Sequence, residues 1–101
     1  MPGVVTPTGG APSHVFHLYV IQTPDRDALM SALRANDVAT GLHYPLPVHL
    51  QPCYRGVAHR AAALPVTEAL ARSVLSLPMY PEISGGSVAR VAELIAAFRA
   101  R

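Results

Sequence analysis

The chain has 101 residues, half of them hydrophobic and 14% charged, with a formal net charge of +2. That is enough apolar material for one modest core and too little positive charge to argue for a nucleic-acid partner. With no apolar run long enough to span a bilayer and no basic-then-apolar start, neither a membrane span nor a signal peptide is expected, and a cytoplasmic chain is the default reading.

Met1 to Ser13 is rich in Pro, Gly and Thr and has no apolar period, so it reads as an irregular leader or linker, with 14–101 as the domain proper. His14 to Gln22 is dense in β-branched and aromatic residues and reads as a first strand. Val15, His17, Tyr19 and Ile21 alternate with Phe16, Leu18 and Val20. Both sets are largely apolar, so both faces should be covered, which so short a chain has difficulty doing alone. His17 reads as a hydrogen-bonded histidine in or near the core. Thr23 or Asp25 is placed to cap a helix whose apolar stripe is Leu29 and Leu33, with Ala28 and Ala32 beside them, ending at Arg34. Asn36-Asp37 suits a left-handed stop, and Val38 to His43 reads as a second strand.

The next stretch, His43-Tyr44-Pro45-Leu46-Pro47-Val48-His49-Leu50-Gln51-Pro52-Cys53-Tyr54, holds three prolines in eight positions. Each proline fixes its own φ, removes a donor and pushes its predecessor toward extended geometry, so neither a helix nor a central strand is expected. A stiff loop carrying imidazoles, phenols, an amide and a thiol can present them to a ligand at small entropic cost. Beyond it, Leu64-Pro65-Val66-Thr67-Glu68 looks like a helix start, Val74 to Pro78 a third strand, and Ser84 the cap of a last helix with Val88, Val91, Ile95 and Phe98 on one face. The order β-α-β-loop-α-β-α predicts a small α/β or α+β domain, with helices on a three-stranded sheet whose third strand lies between the first two and antiparallel to them.

All eight cationic residues are arginines: Arg26, Arg34, Arg55, Arg60, Arg72, Arg90, Arg99 and Arg101. There is no lysine, so no side-chain amine is present to form a Schiff base with a carbonyl cofactor. The single Cys53 excludes an internal disulfide, fits a reducing compartment and reads as a small buried thiol rather than a nucleophile. A zinc set of His43, His49 and Cys53 is a weaker reading, since prolines intervene and a fourth ligand is missing. Tyr54 and Tyr80 read as packing residues, Arg55 and Arg60 as solvated loop charges, and Glu68 as a first-turn acid.

Four blocks carry a resemblance: His14-Val15-Phe16-His17-Leu18-Tyr19-Val20-Ile21, the run His43 to Pro52, Leu64 to Glu68, and Leu75-Ser76-Leu77-Pro78-Met79-Tyr80-Pro81. In order and spacing they resemble the C-terminal domain of the DegT/DnrJ/StrS family of pyridoxal-phosphate-dependent sugar aminotransferases. The likeness implies the small domain of a fold-type I transferase, and for the intact enzyme amino transfer from glutamate to keto-sugar nucleotides by a homodimer with active sites between subunits. It further implies that the cofactor lysine and most phosphate contacts lie in a preceding large domain. This chain would then carry no catalytic, cofactor-binding or metal-binding residue, would bind no pyridoxal phosphate alone, and would depend on that domain or on a homodimer partner. By the same resemblance His43, Tyr44, Pro45, His49 and Gln51 are substrate-binding residues at the mouth of the site. The family usually ends its first helix on glycine, where this chain has Asn36-Asp37. The alternative is a non-enzymatic binding module that has kept the small-domain fold.

Overall fold

The computed structural model describes residues 1–57 and 63–101. Its elements are β1 (Tyr19–Gln22), α1 (Arg26–Arg34), 3-10 turns at Val48–Leu50 and Pro52–Tyr54, α2 (Pro65–Ser73), β2 (Val74–Leu77) and α3 (Gly85–Arg99). β1 and β2 pair antiparallel, Tyr19 opposite Leu77 and Ile21 opposite Leu75. Ile21 and Leu75 meet Leu29 and Leu33 of α1, Val38, and Ile95 of α3 in the buried core. Helix and strand are mixed as expected, but among the described residues the sheet has two strands rather than three.

Prolines and competing bonds explain the missing strand. Gly41 and Ser76 exchange both backbone hydrogen bonds, at 3.0 and 2.8 Å, so β2 does lie between β1 and the 38–43 segment and antiparallel to both. In an antiparallel ladder such bonded pairs recur every second residue. One step further would set Ala39 against Pro78, which has no N–H. One step back would set His43 against Val74, whose N–H already bonds the Leu70 carbonyl and whose carbonyl accepts from Arg26. The opposite edge is limited in the same way. Val5 and Gln22 exchange two bonds of 2.9 Å, and the flanking pairs would require donors from Pro7 and Pro24. Residues 1–13 are thus not wholly irregular, because Val5 bridges β1 and Val4 packs against the core.

The first strand is also shorter than the His14–Gln22 expected. The His14 imidazole Nδ1 accepts the Phe16 N–H at 3.0 Å, the His14 N–H bonds the Ala11 carbonyl, and Phe16 takes a φ of +47°. Local side-chain-to-backbone bonding has displaced the ladder. His17 is consequently exposed, not a core histidine, and Val15 is 90% exposed.

The helix ends follow the sequence more closely. At the end of α1 the Val38 N–H bonds the Leu33 carbonyl and the Asp37 N–H the Arg34 carbonyl, with Asp37 at φ +61°. This is a Schellman closure in which buried Val38 and Leu33 supply the apolar contact. Ser84 caps α3 by accepting the Ser87 N–H at 3.1 Å. The start of α1 differs from expectation. Asp25 occupies the N-cap position without a side-chain cap bond, because its carboxylate is drawn to Arg99 of α3, and the buried Thr23 hydroxyl has no partner among the described residues. Val88 is 52% exposed rather than part of the core; with Tyr19, Ile21, Leu77 and Val91 it lines an apolar cleft of about 270 Å³ between α3 and the sheet.

Arg26 ties the two halves of the fold together. It is buried, and its Nη1 donates to the carbonyls of Ala71 in the last turn of α2 at 3.2 Å and of Val74, where α2 gives way to β2, at 3.0 Å, while Nε meets Asp27. A cation against the carbonyl end of a helix is favourable, and its removal leaves acceptors unpaired. Arg26→Met is therefore expected to lower unfolding free energy by about 2 kcal/mol in urea titration, whereas Arg34→Met on the exposed face should change it little.

Candidate functional site

The Pro-rich loop hangs from the edge of β2. Beyond the Gly41 bridge, the His43 imidazole Nδ1 lies 2.8 Å from the hydroxyl of Ser76, itself buried in the middle of β2. A strand that reads Val74-Leu75-Ser76-Leu77 carries one polar side chain, and a buried hydroxyl requires a partner. Either neutral tautomer satisfies the pair and leaves Nε2 for the outside, as donor when Nδ1 accepts from Ser76 and as acceptor when Nδ1 donates. Gly41 makes the contact possible. A Cβ built there would sit 2.7 Å from His43 Cε1, so the ring occupies the space that any other residue would need.

Tyr44 follows through a cis peptide bond, 72% exposed, its ring edge-on to His43 with centroids 5.4 Å apart. Pro45 is exposed and Pro47 buried, so the chain rises at Tyr44-Pro45 and is pinned two residues later. His43, Tyr44 and Pro45 form an outward lip. The other two expected site residues lie within the loop. Gln51 turns back, its amide donating to the Leu46 carbonyl at 3.4 Å. The His49 side chain is only 9% exposed and faces Glu68 of α2, with Nε2 to Oε2 at 3.9 Å. Glu68 in turn accepts the Leu64 N–H at 2.9 Å, holding the first turn of α2 as a first-turn acid should.

Cys53 is exposed, not the buried thiol expected, since the second 3-10 turn directs it to solvent. Among the described residues no group of three His, Cys, Asp or Glu side chains is placed to hold a metal ion, so His43, His49 and Cys53 do not assemble as a zinc set. Tyr54 and Tyr80 are partly exposed at the loop and beyond β2, and Arg55 is exposed. Arg60 falls outside the described residues. Reading along the chain did not single out Ser76 or Gly41. The lone polar residue of a buried strand and a glycine two positions before a site histidine are the signals that would have found them.

Comparison with known proteins matches residues 1–96 to the model of the DegT/DnrJ/EryC1/StrS aminotransferase family. The chain belongs to this family. It is 44% identical over 85 residues to a "pleiotropic regulatory protein" of Geobacillus stearothermophilus, covering 84% of this chain and 23% of that protein. It is 41% identical over 96 residues to the dTDP-3-amino-3,4,6-trideoxy-alpha-D-glucose transaminase of Streptomyces venezuelae, covering 94% of this chain and 25% of the relative. The crystal structure of the S. venezuelae protein DesV, in complex with a ketimine intermediate, superposes with a TM-score of 0.88 at 39% identity, over 99% of this chain and 27% of that one. The chain thus spans about a quarter of the length of these family members. Its residues do not fit covalent attachment of pyridoxal phosphate, because it contains no lysine. Among the described residues no helix is long and apolar enough to cross a membrane.

If the Ser76 hydroxyl orients His43, Ser76→Ala should cost about 1 kcal/mol and abolish nuclear Overhauser contacts between the His43 ring and Gly41. Ser76→Thr, which keeps the hydroxyl, should retain them. Unaltered contacts in Ser76→Ala would mean that the ring is held by something else.

Proposed function

We propose that this chain is the C-terminal small domain of an aminotransferase acting on keto-sugar nucleotides, with residues 1–13 as the connection from a large domain and 14–101 as the domain itself. Its part in amino-sugar biosynthesis is to carry the substrate-facing lip. The observation that weighs most is the superposition on the Streptomyces venezuelae enzyme over 99% of the chain but 27% of that enzyme, with the Pro-rich loop included. The relatives' names supply the substrate class, a nucleotide sugar.

In this reading His43 and Tyr44 reach the substrate directly. Nε2 of His43 and the Tyr44 hydroxyl are donors or acceptors suited to phosphate and sugar oxygens, and Pro45 keeps both from folding back. His49 and Gln51 serve the same surface from inside, as the groups that shape the loop. The amine chemistry belongs to pyridoxal phosphate on a lysine of the large domain, so the chain alone is expected to be inactive.

The shape agrees with a part made to be covered. A Cα radius of gyration of 15.9 Å exceeds the roughly 13 Å of a self-contained domain of 100 residues. Val66, 72% exposed, and Leu70 leave apolar surface on α2. The missing cover is then the large domain or a homodimer partner. A second reading, a non-enzymatic module retaining the fold, is favoured by one observation, the regulatory name of the Geobacillus relative.

A graft separates the two. Replacing the matching quarter of the Streptomyces venezuelae transaminase with this chain should give an enzyme that still transaminates its nucleotide sugar, and His43→Ala or Tyr44→Ala in the graft should reduce kcat/KM about tenfold or more. A graft that folds and takes up cofactor yet turns over no substrate would favour the binding module.

A further inference from the structure

Among the described residues, one buried polar group of the loop is left without a partner. His49 Nε2 is buried, has no hydrogen-bond partner among the described residues, and stops 3.9 Å from Glu68 Oε2. An unpaired polar nitrogen in such a place is costly, and the group it faces is a carboxylate already fixed by the Leu64 N–H at 2.9 Å. A carboxylate accepts several bonds at once, so a second donor does not displace the first.

We propose that His49 is a positioning residue, whose Nε2–H closes onto the Glu68 carboxylate and clamps the Pro-rich loop to the first turn of α2. Glu68 is then shared by two donors, the Leu64 N–H and the His49 imidazole, and one carboxylate holds both the start of the helix and the loop. The clamp falls within the first 3-10 turn, five residues beyond Tyr44. Those turns are otherwise kept, among the described residues, by local bonds: Leu50 N–H to Pro47, Gln51 N–H to Val48, Tyr54 N–H to Gln51, Arg55 N–H to Pro52, and the Gln51 amide to Leu46. The functional consequence rests on the lip reading above: a loop tied at His49 presents His43 and Tyr44 in one arrangement, which lowers the ordering cost of binding.

Amide hydrogen exchange on the full 101-residue chain tests the clamp without reference to catalysis. His49→Phe keeps an aromatic ring, somewhat larger, and removes the donor; it should speed exchange at Leu50, Gln51 and Tyr54 about tenfold while Leu29 and Leu33 in α1 keep their protection. His49→Gln, which restores an N–H near the same point, should stay within about twofold of the native chain. Glu68→Ala should expose the same loop amides, and adding His49→Phe to it should change them no further. Loop exchange unchanged in His49→Phe, or effects that multiply in the double variant, would overturn the clamp. In the grafted transaminase His49→Phe should raise KM for the nucleotide sugar with kcat kept. A positive exchange result with unchanged KM would leave the clamp standing and count against the lip as the substrate surface.

Discussion

Ser76 is the residue on which the arrangement turns. Its backbone N–H and carbonyl hold Gly41, and its hydroxyl holds the His43 ring, so three bonds from one buried position attach the loop to the sheet. The interactions are modest singly, each net bond contributing about 1 kcal/mol. Their effect comes from location. The strand behind them is anchored in the core through Leu75, and Gly41 leaves room for no side chain between the backbone and the imidazole. The base of the lip is thereby fixed to the core, while Tyr44 and Pro45 stand clear of it.

Prolines decide how far that attachment spreads. Pro78 stops the Gly41 bridge from becoming a third strand, and Pro7 and Pro24 confine the leader to one pair on the far edge. Among the described residues the sheet is a two-stranded ribbon with a single rung on either side. Such a ribbon is marginal by itself and depends on packing against helices, which α1 and α3 supply on the face of Ile21 and Leu75. A fold this sparing, with apolar side chains left on α2 and in the cleft beside α3, accords with a family whose members are about four times as long.

The sequence made some of this plain and hid the rest. Local signals were legible: the apolar stripe of α1, the left-handed stop at Asp37, the Ser84 cap, the first-turn Glu68 and the exclusion of regular structure from 43–54 by proline. Each depends on residues a few positions apart. What was misread depends on distant partners. Asp25 looked like a cap and is taken by Arg99, 74 positions away. The 38–43 segment looked like a strand, but the residues that would flank the Gly41 bridge are Pro78, just past β2, and Val74, already bonded to Arg26. His17 looked apolar-faced because the alternation was counted through Phe16, where the chain in fact turns. The site was half legible. The loop and its family blocks stood out, whereas the division into an outward lip and an inward pair, His49 and Gln51, appears only once Glu68 and the Leu46 carbonyl are brought against them.

Covalent attachment of pyridoxal phosphate needs a lysine side-chain amine, and this polypeptide contains no lysine. The most direct measurement is amino transfer from glutamate to a keto-sugar nucleotide by the purified 101-residue chain supplied with pyridoxal phosphate and no other protein. No aminated sugar should form at any protein concentration. Product that scales with the amount of the chain, and is lost on Tyr44→Ala, would mean that this chain transaminates without a lysine and would contradict the account.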